Sequence, residues 1–231
     1  ISPRDANGND PYTITSTNIN TTMLAPRGTP LWSTTYANFA PRLGIAYQLN
    51  PAAGKETVLR TGFGVFYDSG NAQGSQGYNG IGFYGQETLF GQSFPLSSSQ
   101  INTGPTASVA APYTSLIAGF DPNLKLPRIV EWNVAIEQSL GANQTLTASY
   151  VGSAGRRLLV QKIYYPGSIG NSNLDANSSM YLTDNQGYSD YHALQVQYQR
   201  KLSHGLQVLA SYSWSHSTDN SSSNFAVYQL L

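Results

Sequence analysis

Where any period is visible in this chain it is two, and no segment carries an apolar stripe at helical spacing. The alternation predicts an all-β chain. In residues 42–49, Leu43, Ile45, Tyr47 and Leu49 share one face, and Arg42, Gly44, Ala46 and Gln48 the other. Residues 57–67 return with Leu59, Phe63, Val65 and Tyr67 opposite Arg60, Gly62, Gly64 and Phe66, after a turn built on Asn50-Pro51 and Gly54. A second pair sets Trp132, Val134, Ile136 and Leu140 against Glu131, Asn133, Ala135 and Glu137. After Gly141-Ala142-Asn143-Gln144, Leu146, Ala148 and Tyr150 alternate with Thr145, Thr147 and Ser149. The third pair places Leu194, Val196, Tyr198 and Leu202 against Gln195, Gln197, Gln199 and Lys201. Ser203-His204-Gly205 turns the chain, and Leu206, Val208, Ala210, Tyr212 and Trp214 then face away from Gln207, Ser211, Ser213 and Ser215.

Each strand read this way has about 9 to 11 residues, the span of a tilted strand crossing a bilayer, whereas soluble strands average about 5 or 6. The connections alternate between tight turns and long segments rich in Gly, Ser, Asn and Pro. The expected organisation is one partial barrel domain: loop 1–37, hairpin 38–67, long loop 68–128, hairpin 129–151, long loop 152–190, hairpin 191–216, and the start of a further loop at 217–231. Short turns on one side and long loops on the other are the topology of an antiparallel up-and-down transmembrane β-barrel, with the long loops outside the cell. Phe66-Tyr67, Trp132, Tyr150, and Tyr212 with Trp214 gather at the loop ends as an outer aromatic girdle, and Tyr47 with Tyr198 lies nearer the short turns. A soluble sandwich would also bury such aromatics, and it stays as an alternative.

Charge sharpens this picture. Twelve Lys and Arg balance twelve Asp and Glu, and charged residues make up only 10% of the chain, against about 25% in an ordinary soluble domain. A neutral chain does not displace counterions from nucleic acid, so that partner is excluded. The absence of cysteine excludes a disulfide framework and thiol-ligated metal. No stretch is long and apolar enough for a membrane helix. A barrel explains the deficit. The apolar faces carry no Lys, Asp or Glu, and a cation facing lipid at mid-bilayer costs about 2–4 kcal/mol.

The stretches 38–47 (Asn38-Phe39-Ala40-Pro41-Arg42-Leu43-Gly44-Ile45-Ala46-Tyr47), 59–68 (Leu59-Arg60-Thr61-Gly62-Phe63-Gly64-Val65-Phe66-Tyr67-Asp68) and 205–215, with Ser211-Tyr212-Ser213-Trp214-Ser215, resemble the barrel of TonB-dependent outer-membrane receptors, particularly the Oar-like group. Trp132-Asn133, the Glu137-Gln138-Ser139-Leu140-Gly141 turn and Ala148-Ser149-Tyr150-Val151-Gly152-Ser153 resemble it too. The resemblance covers most of residues 38–217 and implies import of a bulky solute, such as a siderophore, oligosaccharide or peptide, with energy passed from the protein TonB. It also implies a plug and a 22-stranded barrel ending in an aromatic residue. With about six strands and no plug, the chain is expected to be an internal piece of such a receptor, its partners being outer-membrane lipid, the solute, and TonB through segments not present here.

Motifs for other chemistry are weak. Asp5-Ala6-Asn7-Gly8-Asn9-Asp10 has oxygen donors at calcium-loop spacing, but Asp10 and Ser16 stand where such a loop has Gly and Glu, so an Asx-rich turn is the reading. Gly62-Phe63-Gly64 opens no helix and is no nucleotide loop; these glycines are expected to let lumen-side backbone pack closely against something inside the barrel. His192, His204 and His216 lack zinc spacing. Glu131 and Glu137, six residues apart on one strand face, have backbones about 20 Å apart, too far for a glycosidase pair. No nucleophile motif appears, so no enzyme, metal or cofactor is expected. The candidate contacts are therefore the inward-facing Arg60, Glu131, Glu137, Gln195, Gln197 and Gln199. In the long loop, Tyr78, Phe83, Tyr84, Phe90 and Phe94 are candidates for stacking on a ligand, or for packing on one another. Besides import, two further functions are carried: an adhesion or export barrel whose loops are the contact surface, and a secreted carbohydrate-binding sandwich.

Overall fold

A computed structural model describes residues 12–68, 77–81, 90–102, 109–113, 116–165, 170–175 and 179–221. Seven strands form a single sheet: β1 (Arg42–Asn50), β2 (Thr57–Tyr67), β3 (Ile117–Phe120), β4 (Arg128–Ser139), β5 (Gln144–Tyr164), β6 (Met180–Ser203) and β7 (Leu206–Asp219). A single-turn helix, α1 (Ser98–Ile101), is capped by Ser97. The six long strands run up and down in the order β1-β2-β4-β5-β6-β7, each antiparallel to the next. Strand β3 instead lies parallel to the outer end of β6.

Local chemistry sets the three tight turns. Gly54 (φ 74°) and Gly141 (φ 80°) take left-handed backbone, and His204 (φ 51°) with Gly205 (φ 76°) forms the two-residue link of β6 to β7. Two consecutive positive φ values match the right-handed twist of a hairpin. Neighbouring turns touch, since the Gly141 N–H donates to the Gly54 carbonyl at 2.8 Å and the Lys201 N–H to Asn143 at 2.8 Å. All three short turns thus lie at one end of the sheet.

The register carries the alternation across strands. Ile45, Thr61, Val134, Tyr150, Leu194 and Trp214 form one continuous row, and Tyr47, Leu59, Ile136, Ala148, Val196 and Tyr212 another. Both rows lie on the face predicted to be apolar. Among the described residues no second sheet covers that face, and Leu43, Ile45, Tyr47, Val134, Ile136 and Trp214 are all exposed on it. A soluble sandwich buries such a face against a partner sheet, so the sandwich alternative falls.

Three boundaries differ from the sequence reading, the smallest difference being at β7, which runs on to Asp219 where the sequence pattern ends the hairpin at 216. Segment 152–190 is not all loop, because β5 continues to Tyr164 and β6 begins at Met180, giving strands of 21 and 24 residues. The continuation is hidden in the sequence by two register shifts around Leu158, where Arg157 takes φ 58° and breaks the period of two. Segment 68–128 is likewise structured in part, holding α1 and β3.

The buried core lies at the loop end, not within the long hairpins. Ile14, Ile81, Tyr113, Ile117, Tyr164, Leu174, Met180 and Leu182 pack into one cluster, drawn from six of the described stretches. Gly119 admits Ile14 against β3, and Trp32 and Tyr78 both meet Phe120 edge-on at 4.9 Å. Inside this cap Lys162 Nζ donates to Asp184 Oδ2 at 2.6 Å, with both side chains nearly buried.

Candidate functional site: the inner face of the sheet

The polar face opposite the apolar rows holds the candidate site. Arg60 on β2 and Glu137 on β4 approach to 3.3 Å on the diagonal, two residues out of direct register. Both side chains are open to solvent, so the pair adds at most about 1 kcal/mol to stability and its charges remain available. Nearer the loop end, a groove of about 450 Å³ runs across β1, β2, β4, β5 and β6, lined on this face by Arg42, Phe66, Glu131, Asn133, Ser153 and Tyr191. Its floor is glycine. A Cβ on Gly64 would strike the Phe66 ring, and one on Gly62 would strike the Asn133 amide. Among the described residues the two glycines thus seat side chains of the same sheet, rather than a separate body inside the barrel. Phe66 is in turn covered by Arg42, whose guanidinium lies 4.6 Å from the ring centroid.

A second groove, about 380 Å³, lies farther along the same face between Thr147, Ser149, Gln195, Gln197, Ser211 and Ser213. Gln197 Nε2 donates to Ser211 Oγ at 3.5 Å. Gln199 sits one row beyond, between Thr145 and Leu209. The face therefore places Arg60 with Glu137, Glu131 in the first groove, and Gln195 with Gln197 in the second. Arg42, Tyr191 and the serines of β7 belong to these grooves as well. Alternation assigns them to the inner face, but only the register brings them beside the named candidates.

The loop aromatics separate. Tyr78 packs on Phe120 in the cap, where burial pushes its phenol pKa up, so it serves the cap core. Phe90 and Phe94 are 82% and 93% exposed and touch no such core. Phe83, Tyr84 and the Asx-rich turn at 5–10 lie outside the described residues. The histidines, scattered in the sequence, are partly reunited: His192 and His216 stand opposite one another on the outer face, while His204 is in the tight turn. Among the described residues no three His, Asp or Glu side chains converge.

The outer face carries the membrane signature. Trp132 lies over Gly152, where a Cβ would enter the indole, and Tyr150 Oη is 2.7 Å from His192 Nδ1. On β6 the apolar stretch of this face is bounded by Arg200 and Asp190. Ten residues at about 3.3 Å, tilted about 40°, give about 25 Å along the membrane normal, the height of the apolar band of an outer-membrane barrel.

A family model described as an outer membrane beta barrel domain matches residues 3–229. The chain belongs to that family. It is an outer-membrane protein whose antiparallel strands form part of a β-barrel wall. Among solved structures it is similar to the outer membrane transporter YddB from Escherichia coli, at 14% identity and a TM-score of 0.46, over 71% of this chain and 18% of that one. The chain thus spans under a fifth of the length of that transporter. No curated protein matches the sequence.

Proposed function

We propose that the chain is a wall segment of a TonB-dependent receptor of the Oar-like type, importing a bulky solute such as a siderophore, oligosaccharide or peptide. The observation that carries this reading is the inner face. A largely apolar groove around Phe66 and Tyr191, a second groove lined by glutamines, serines and a threonine, and an open Arg60–Glu137 pair lie on the side of the sheet opposite its apolar rows. Such a wall suits a solute that exchanges hydrogen bonds with amides and hydroxyls, with the Arg42 guanidinium held in place over Phe66. On this reading the chain binds and guides, and it catalyses nothing. TonB would engage segments other than these strands.

The test is solute uptake by cells carrying the full-length receptor, with and without functional TonB. Loss of uptake without TonB is expected. Unchanged uptake would remove active transport. Gln195→Ala with Gln197→Ala is expected to weaken solute binding without changing the amount of folded receptor. A second reading, adhesion through the loops, is favoured by one observation, the exposure of Phe90 and Phe94. Replacing both by Ser should then reduce surface attachment and leave uptake intact.

A further inference from the structure

On the outer face, register aligns Tyr67 of β2, Arg128 of β4, Arg156 of β5 and Tyr188 of β6 in one row. Arg128 and Arg156 stand directly opposite one another in the ladder. Like charges in that position repel, because paired Cβ atoms are only about 4.5–5.5 Å apart. An anion lying between the two would reverse the sign.

The two guanidiniums are unequally committed. Arg156 donates to the carbonyls of Gly155 at 2.8 Å and Ser189 at 2.9 Å, and to Asp190 Oδ1 at 2.6 Å. Arg128 makes no ion pair among the described residues, and its Nε is buried without a partner. Among the described residues the two arginines meet one carboxylate, that of Asp190, and the cluster is positive.

Its height selects the anion. Arg156 lies two residues outward of Ala154, the register partner of Asp190. At about 3.3 Å per residue and about 40° of tilt, that is about 5 Å beyond the apolar band, within a headgroup layer about 5–7 Å deep. Below the row, Val65, Val130 and Ala154 form an apolar strip in register. A phosphate carried on a lipid would therefore meet charge at its head and apolar surface along its chains. The planar fork of arginine suits phosphate, and Tyr67 and Tyr188 flank it as interfacial rings do.

We propose that Arg128 and Arg156 clamp the phosphate of an outer-leaflet lipid against the outside of the barrel. The inference rests on the outer face and is independent of what the lumen carries.

The test uses the full-length receptor, stripped of lipid in detergent and probed by native mass spectrometry with lipid A, dephosphorylated lipid A and inorganic phosphate. Lipid A is expected to bind the native protein at least tenfold more tightly than its dephosphorylated form, and Arg128→Gln should remove most of that preference. Arg128→Gln leaves every hydrogen bond of Arg156 in place, so a folding defect in the Arg128→Gln, Arg156→Gln double variant would not decide the question. Lys201→Gln, at the opposite end of the sheet, should bind as the native protein does. Equal binding of both lipid forms, or full retention of the preference in Arg128→Gln, would overturn the clamp. Displacement of lipid A by equimolar inorganic phosphate would overturn the lipid as its occupant.

Discussion

The Lys162–Asp184 pair locks the two longest strands together inside the cap, and removing its acidic half should open that region selectively. The ammonium and the carboxylate meet at 2.6 Å with side chains only 10% and 5% exposed, and Asp184 Oδ1 also accepts the Gln186 N–H at 3.1 Å. Asp184→Ala would leave a buried cation beside Tyr164 and Leu182 with no counter-charge. Breaking one side of such a pair costs about 3–5 kcal/mol, whereas exchanging both partners for apolar residues of similar volume is close to neutral. At about 1.4 kcal/mol per decade, Asp184→Ala should speed amide exchange in residues 160–164 and 180–184 by roughly a hundred- to several-thousand-fold, if exchange follows local opening. The membrane part of the same strands, residues 144–154, should keep its protection. Hydrogen–deuterium exchange on the protein in detergent reads both regions at once. The Lys162→Met, Asp184→Leu double variant should restore most of the loss. A change below tenfold in Asp184→Ala, or an equal change in both regions, would refute the argument.

Further outcomes follow from the same geometry. Ala148→Arg points a cation at lipid from the Tyr47–Tyr212 row and should lower barrel stability by about 2–4 kcal/mol, while Ser149→Arg, one residue away on the inner face, should cost far less; equal losses in reversible folding into vesicles would remove the assignment of faces. Gly152→Ala places a methyl where the Trp132 indole lies and should cost about 1–3 kcal/mol by overpacking. Adding Trp132→Ala should cancel much of that penalty, and tryptophan emission reports whether the indole moves. Burial, and then the charge of Asp184, hold the Tyr164 phenol above its ordinary pKa of 10.0. Its neutral form is favoured in the fold, so this contribution is present below that value and is lost as pH rises past it. Alkaline exchange kinetics of the cap should therefore differ between the native protein and Tyr164→Phe, and identical profiles would refute the linkage.

The candidate site shows where sequence and structure part. That Arg60 and Glu137 share a face is legible from parity on two strands. That they meet is not, because it depends on the pairing of β2 with β4 across the 60-residue stretch 68–127 between them. The Gly62 and Gly64 positions signal a close approach, yet the side chains that fill the space, Asn133 and Phe66, emerge only from the folded ladder. Tyr78 and Phe94 look alike in the sequence, both aromatic among Gly and Ser. One is spent on the cap core and the other stands free.

What the sequence by itself determines is local. Period two decides which residues are strand and which face each takes, and the low charge with long strands decides that one face meets lipid, because both follow from the backbone pleat and from the cost of charge in hydrocarbon. Tertiary structure decides what lies beside what. Register sets Arg128 against Arg156 and gathers the inner grooves, and packing among distant segments builds the cap around Ile14, Ile117 and Met180. No short window of sequence carries those pairings, since the free energy that selects them comes from contacts between residues far apart in the chain.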